Sequence, residues 1–358
     1  MTRKNSRKLK YVMTIPSVDI IKFAAIDDLI LLGSTDKRYE DLKAQNPVLK
    51  QYLDSFRTPF GRKVNPSVIV RNERLPKVDA SHLCAFRNAI AIAGVVYSRA
   101  LSFTQNQNTG FLCTDIFDFH PVSVSSDGTE LIAKTPFELS AWCDVKKFVG
   151  QTTLAVIHPE YIRPALDEGF ALALLDAVEK RTRTRDEQMF KTRLARSMEM
   201  AFHALRSPFA NLGEPVDFGV QMGLWVSAFE ILANPHTTRV EFSDVSAMIK
   251  AVPWRHRKLR LKNRAAVGTQ GKKTTLPVQV YGRLYRTRNA YMHGNRMHRG
   301  EYEFAKRKGW GNLFFQAPAL YRCVMMNALN SRGFGKSLTV SQEHALYERV
   351  LLSKDDSD

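Results

Sequence analysis

The segment that decides the fold is Leu284-Tyr-Arg-Thr-Arg-Asn-Ala-Tyr-Met-His-Gly294. Tyr281 and Tyr285 stand at helical spacing at its start, and the closing glycine is a natural C-terminal stop for a helix. We therefore predict a helix over about residues 277–293. The same segment carries the two side chains that most strongly indicate chemistry, Arg288 and His293.

Working outward from this helix, the chain is predicted to be almost wholly helical from about residue 159 onward. Between two of the predicted helices, residues 253–276 contain one proline, two glycines and many basic side chains, and we predict a mobile basic loop there. The predicted fold class is therefore mainly α. The other predicted helices cover roughly residues 160–180, 186–207, 217–233, 243–252, 314–331 and 341–353.

The first part of the chain is predicted to mix helices and strands. Residues 36–56 and 80–101 show apolar residues at helical spacing, and an alternating stretch around Asp127-Gly128 indicates a β-hairpin. No catalytic pattern is found here. We predict a mixed α/β N-terminal domain over residues 1–155, with a sensing, recruiting or regulatory role, and a helical domain over residues 156–358.

Charge is the most informative bulk property. The 358 residues include 53 Lys and Arg against 35 Asp and Glu, which gives a formal net charge of +18. Such a chain attracts polyanions, because neutralising phosphates releases condensed counterions. The charge is clustered in residues 180–196 and 254–264. In the second cluster we predict RNA contacts by Arg255, Arg257, Lys258, Arg260, Lys262 and Arg264.

Other classes of protein find no support. The His, Asp and Glu residues show no metal-ligand spacing, so we predict no metal and no other cofactor. No signal peptide and no apolar stretch of about 18 to 20 residues is found, which predicts a cytoplasmic protein without a membrane span. Neither a zinc site nor a disulfide framework is indicated, because the cysteines are far apart. They are Cys84, Cys113, Cys143 and Cys323.

Arg288 and His293 together provide the chemistry of RNA cleavage without a metal. A histidine moves protons near neutral pH, and an arginine binds phosphate through a bidentate fork. The base removes the proton of the ribose 2′-hydroxyl, which attacks the adjacent phosphorus, while the cation stabilises the charge on the phosphoryl oxygens. DNA lacks this internal nucleophile, so the pair favours RNA as the substrate.

Helical geometry leaves the identity of the phosphate-binding arginine open. At 100° per residue Arg288 and His293 lie about 140° apart, whereas Arg286, Asn289 and His293 share one face. A helix that frays at Gly294 would still allow Arg288 to reach His293. Arg286 is therefore an alternative for the phosphate-binding role.

Glu230 lies in an otherwise apolar predicted helix, on a polar strip with Gly223, Ser227 and Asn234. One interpretation is an exposed edge of that helix. The other is a partly buried carboxylate that pairs with Arg286 or Arg288, since an unpaired buried charge is costly.

The motif helix resembles the signature helix of the Apea-like branch of the HEPN superfamily: arginine, a polar residue, three residues, then His-Gly. Residues 224–232, Leu-Trp-Val-Ser-Ala-Phe-Glu-Ile-Leu, resemble an earlier core helix of that family, and residues 317–329 resemble the helix after the motif. The resemblance covers about residues 160–335. Asn295 stands where one subfamily has a tyrosine whose modification controls the toxin, which speaks against that subfamily.

The resemblance implies a bundle of about four to five helices that dimerises, with both copies of the motif facing one cleft. It also implies RNA cleavage in an antiviral defence or toxin system, leaving a 2′,3′-cyclic phosphate. By the same resemblance Arg288 binds the scissile phosphate, His293 is the acid/base and Asn289 orients one of them. Because uncontrolled RNA cleavage is toxic, we also expect a regulatory partner.

Three alternatives remain open. The helical domain is a non-catalytic HEPN-like module that binds RNA or a partner, or the protein is a DNA- or RNA-binding regulator whose Arg–His pair only packs or caps a helix. In the third, the helical half mediates assembly and its basic loops bind an acidic partner.

Overall fold

Contacts between residues divide the chain into two units. Unit 1 comprises Met1–Ala80 and Asp115–Ala165, and unit 2 comprises Ser81–Thr114 and Leu166–Asp358. The computed structural model describes residues 9–19, 29–73, 78–105, 112–125, 127–134, 139–142, 145–152, 166–180, 184–206, 215–234, 239–262, 264–265, 272–295, 313–334 and 342–352.

Over its described residues, unit 1 combines small antiparallel sheets with two short α-helices. In one sheet β3 lies between β1 and β2, and in the other β5 lies between β4 and β6. The apolar core between the helices and the strands includes Tyr52, Phe56 and Val68. The elements are β1 (Leu9–Ile15), β2 (Leu29–Leu32), α1 (Lys37–Gln45), α2 (Pro47–Asp54), β3 (Ser67–Asn72), β4 (Val122–Val124), β5 (Leu131–Lys134) and β6 (Leu139–Trp142).

The single helix predicted over residues 36–56 is wrong, because the chain breaks at Asn46. This residue is extended (φ −140°, ψ 104°), and its side chain accepts a hydrogen bond from the backbone N–H of Leu49. Pro47 then starts α2 as its first residue. A proline disfavours the helical conformation of the residue before it, and asparagine is a favoured N-cap, so α1 and α2 are separate.

The predicted hairpin is confirmed. Strands β4 and β5 pair antiparallel, and Ser125 N–H donates to the Glu130 carbonyl across the turn at 2.8 Å. Gly128 has a φ of +78°, a conformation that favours glycine. The Asp127-Gly128 pair therefore provides the turn that the sequence indicated.

Unit 2 is mainly helical, and the helices predicted in the second half of the chain are confirmed to within a few residues over the part that the structure describes. Helices α5 and α6 pack together, and α6 also packs against α9, the motif helix. The unit contains α3 (Ala80–Gln105, in this unit from Ser81 onward), α4 (Glu168–Glu179), α5 (Arg185–Ala204), α6 (Pro215–Ala233), α7 (Phe242–Lys250), α8 (Arg257–Arg260), β7 (Arg264–Ala265), β8 (Lys273–Thr274), α9 (Leu276–Met292), α10 (Leu313–Ser331) and α11 (Gln342–Leu352).

The division into units differs from the predicted boundary near residue 155, because α3 belongs to the helical unit. Arg99 on α3 is 1% exposed, and its guanidinium donates to the carbonyls of Leu112, Phe314 and Leu205. These bonds join α3 to the end of α5 and the start of α10. The helical unit is therefore discontinuous in sequence.

Helix α3 also has the length and hydropathy of a membrane span. It is 26 residues long, and 61% of its most apolar 18-residue stretch is buried inside the protein. Its buried polar residues include Asn88, Ser98 and Arg99. Its burial is that of a core helix, and core helices can be as long and as apolar as a membrane span.

Candidate functional site

The motif helix α9 ends one residue before His293. Gly294 N–H donates to the Tyr291 carbonyl at 3.1 Å, and Asn295 N–H donates to the Ala290 carbonyl at 2.8 Å. With the φ of +67° at Gly294, this is a Schellman C-cap. The glycine therefore stops the helix as predicted, and His293 is the C-cap residue, with its side chain exposed.

Arg288 faces helix α6 and pairs with Glu230. Its Nη2 atom donates to Glu230 Oε1 at 2.9 Å, and the two side chains are 26% and 27% exposed. The Arg288 guanidinium also lies 4.8 Å from the centre of the Tyr285 ring. Glu230 is therefore the partly buried carboxylate of the second interpretation, and its partner is Arg288.

Two glycines on α6 face α9, and Gly219 allows the close approach of the two helices. A Cβ atom added at Gly219 would lie 2.2 Å from the Tyr291 ring, which packs directly over this position. At Gly223 the nearest atom would be Arg288 Cγ, at 3.8 Å. Gly219 thus seats the end of the motif helix, and Gly223 lies beneath the stem of Arg288.

The other motif residues are distributed over more exposed positions. Arg286 is exposed and Asn289 is half-buried. Among the described residues no hydrogen bond joins Arg288 to His293. The structure therefore brings Arg288 and Glu230 together, and leaves Arg286 and His293 facing solvent.

Burial dominates the electrostatics of Glu230. Burial raises the pKa of its carboxyl, and the neighbouring Arg288 cation acts in the opposite direction without cancelling the rise. A half-buried pair with one hydrogen bond does not fully compensate the lost hydration of the carboxylate. Burial, reinforced by the same negative charge, also raises the pKa of Tyr281.

The region predicted as a mobile basic loop is partly regular, which corrects that prediction. Residues 257–260 form α8, Leu259 in its centre is fully buried, and Trp254 Nε1 donates to the Ile249 carbonyl at 3.1 Å. These contacts hold the segment against the unit. Of the predicted RNA-contacting side chains, Lys258 is half-buried, that of Arg264 lies outside the described residues, and the exposed ones are Arg255, Arg257, Arg260 and Lys262.

Two of the aromatic side chains near the basic segment are core residues. Trp254 is 6% exposed and Tyr281 is 0% exposed. Stacking on RNA bases is therefore excluded for both side chains in this structure. Tyr285 and Tyr291 remain half-buried.

Sequence reasoning missed Glu348 on α11. Its carboxylate accepts hydrogen bonds from the backbone N–H groups of Arg255 and His256, at 2.6 and 2.9 Å. Glu348 is separated from Arg255 and His256 by 93 and 92 positions, so the sequence gives no local signal of these contacts. An acidic residue on a helix is ordinarily a solvated one, so only the packing of α11 reveals it.

The described residues contain no group of three or more His, Cys, Asp or Glu side chains that could hold a metal ion. No family model, no curated protein and no solved structure matches this chain. The site is therefore defined by its own geometry: an exposed histidine at a helix end, a neighbouring arginine held by a carboxylate, and an anchored basic segment in the same unit.

Proposed function

We propose that the protein is a metal-independent endoribonuclease with His293 as its acid/base. The observation that carries the proposal is the end of α9. There the C-cap residue His293 carries an exposed imidazole five residues after Arg288, whose guanidinium is oriented by Glu230. Such a pair supplies a proton acceptor and a phosphate-binding cation.

The reaction follows from these two groups. His293 accepts the proton of the ribose 2′-hydroxyl, and the 2′-oxygen forms a bond to phosphorus. The bond from phosphorus to the 5′-oxygen breaks, and that oxygen takes up a proton. The products are a 2′,3′-cyclic phosphate and a 5′-hydroxyl, and an arginine stabilises the charge on the phosphoryl oxygens in the transition state.

Either arginine fits the phosphate-binding role, for different reasons. Arg288 uses one nitrogen for Glu230, which orients its guanidinium and leaves the remaining donors for phosphate. Arg286 is exposed and shares a helix face with Asn289 and His293. We assign the role to Arg288, with Glu230 and Asn289 as positioning residues and Arg286 as a supporting cation.

The expected fold family, dimerisation, location and biological role of unit 2 are part of the same proposal. Unit 2 would be a HEPN-like bundle that acts as a homodimer in the cytoplasm, in a defence or toxin system under the control of a partner. Its helices α5, α6, α9 and α10 support this proposal, because α6, α9 and α10 pack against one another and carry the three segments in which the resemblance was noted.

A second candidate function is RNA binding without cleavage. It is favoured by the absence, among the described residues, of a hydrogen bond between Arg288 and His293, and by the exposed cations of the basic segment. In that case His293→Ala would hardly change the affinity for RNA, whereas neutralising Arg257 and Arg260 would weaken it in a salt-dependent manner.

The test is cleavage of single-stranded RNA in EDTA. We expect the wild-type protein to cut and His293→Ala to lose about 100-fold or more of the rate, with an unchanged melting temperature because the side chain is exposed. Comparing Arg288→Ala with Arg286→Ala identifies the phosphate-binding arginine. Products ending in 3′-hydroxyl and 5′-phosphate would contradict the mechanism, and full activity of His293→Ala would contradict the site.

A further inference from the structure

The basic segment, residues 254–262, presents cations on a backbone that is held in place. Arg257, Arg260 and Lys262 are exposed, whereas Leu259 between them is fully buried. The His256 side chain caps α8, since its Nδ1 accepts a hydrogen bond from Lys258 N–H at 3.3 Å. The charged side chains thus extend from a short, capped element.

The strongest anchor of this segment comes from α11. Both oxygens of Glu348 are used: Oε1 accepts from Arg255 N–H at 2.6 Å and Oε2 accepts from His256 N–H at 2.9 Å. Glu348 is 4% exposed. Charge-assisted bonds to two successive backbone donors fix both the position and the direction of the chain as it enters α8.

A buried network supports Glu348 from behind. His344 Nε2 lies 3.4 Å from Glu348 Oε1, and His344 Nδ1 lies 3.3 Å from Arg322 Nη1. Arg322 in turn pairs with Asp167 at 2.9 Å. Burial acts to raise the pKa of the Glu348 carboxyl, but the neighbouring His344 imidazole and the hydrogen bonds from the two backbone groups outweigh it and lower the pKa.

The hydrogen-bond partners of Glu348 are unusual for a carboxylate in a basic region. A glutamate beneath a cluster of cations would ordinarily pair with a guanidinium and reduce the charge available to a ligand. The hydrogen bonds of Glu348 go instead to backbone N–H groups, and Arg257 and Arg260 extend into solvent. The arrangement fixes the backbone and leaves these two cations exposed.

We propose that Glu348 is a positioning residue for an RNA-backbone-binding surface formed by the cations of the basic segment. Helix α11, far away in sequence, would thus set the spacing at which Arg257, Arg260 and Lys262 meet successive phosphates. This inference rests on the proposed function, because RNA is taken as the polyanion. It concerns affinity alone, since these side chains are not assigned to the chemical step.

Glu348→Gln is a test for which a pure charge effect and a positioning role predict opposite changes in RNA affinity. By charge alone, removing a carboxylate from a chain of net charge +18 tightens RNA binding. If Glu348 positions the segment, the amide NH2 faces a backbone N–H and one anchor bond is lost, so we expect affinity to fall about 3- to 10-fold. The salt dependence should also become shallower by about one phosphate contact.

The measurement is fluorescence anisotropy of a short single-stranded RNA over a range of salt concentrations, in the His293→Ala background so that no RNA is cut. The control is Glu199→Gln, which removes the same charge from an exposed position on α5. We expect the control to bind equally or more tightly. If Glu348→Gln is folded and binds as tightly as the control, the proposal is overturned.

His256 provides a second variant that leaves the buried network untouched. His256→Ala removes the side-chain cap of α8 and should weaken RNA binding, and His256→Asn restores a capping acceptor and should recover it. If Glu348→Gln does not fold, this pair decides: equal affinity of both variants and the parent overturns the proposal. Because affinity is measured without cleavage, failure of this proposal is distinguished from failure of the proposed function, which the cleavage assay tests separately.

Discussion

Glu230 and Glu348 show how the number of donors decides the state of a partly buried carboxylate. Glu230 receives one hydrogen bond from Arg288, and burial still raises its pKa. Glu348 receives two backbone N–H bonds and lies beside His344, and its pKa is lowered in spite of burial. One donor does not replace the hydration of a carboxylate, whereas several directed donors do.

His120 in unit 1 is held neutral by its surroundings. Its Nδ1 accepts from Val122 N–H at 3.2 Å and lies 3.2 Å from the Tyr52 hydroxyl, and its ring packs against Phe56 and Phe148. Burial lowers its pKa below the ordinary value of 6.5, and the Val122 carbonyl, which lies 3.2 Å from Nδ1 and can accept a hydrogen bond from the protonated ring, only partly opposes this. The unfolded chain therefore binds a proton that the folded chain resists.

From this follows a pH dependence of stability. The contribution of neutral His120 is fully present above about pH 6.5 and is lost as pH falls towards its folded pKa, by up to about 1.4 kcal/mol per pH unit. Urea unfolding between pH 7.5 and about 5, above most carboxyl titrations, measures it. His120→Asn should flatten this slope. The exposed His256→Asn should retain it, and equal slopes for both variants would argue against the assignment.

Among the helices, the close approach of α6 to α9 depends on Gly219 more than on Gly223. The Tyr291 ring occupies the space of a side chain at Gly219, and a rigid ring cannot yield without moving the helix. Gly223, one turn later, has ordinary contact distance to Arg288 Cγ. The two positions share a helix and differ in what lies above them.

Alanine at these positions should therefore have effects of opposite sign. Gly219→Ala forces α6 and α9 apart and should cost about 1–3 kcal/mol of unfolding free energy. Gly223→Ala meets no obstacle and should stabilise the helix by about 0.5–1 kcal/mol. Chemical denaturation of both variants beside the wild type is the measurement. Destabilisation of equal size at both positions would show that the close packing at Tyr291 is not the cause.

At the scale of the molecule, α3 makes the helical unit discontinuous in sequence. A fragment of residues 156–358 lacks α3 and leaves the buried partners of Arg99, the carbonyls of Leu205 and Phe314, without their donor. We expect this fragment to lose its cooperative thermal transition and to bind a hydrophobic dye, while the full chain melts cooperatively. A fragment with a sharp transition at the temperature of the full chain would contradict a structural role for α3.

Periodicity and local signals were sufficient for the helices predicted in the second half and for the hairpin. The helices of the second half, the stop at Gly294 and the turn at Asp127-Gly128 all depend on residues within a few positions of each other, where helical spacing and backbone preference act directly. The Asn46-Pro47 break was equally local and was overlooked. Such signals do not say which helices form one unit, and the boundary predicted near residue 155 missed α3 for that reason.

The features of the candidate site also separate into those that local sequence predicts and those that depend on tertiary packing. A basic chain and a helix that carries Arg288 and stops at the C-cap residue His293 follow from the sequence alone. The pairing of Glu230 with Arg288, the burial of Trp254 and the anchoring of the basic segment by Glu348 arise from the tertiary packing. Each of these depends on contacts between residues tens of positions apart, and no local preference encodes a partner at such a distance; the packing of whole helices selects it.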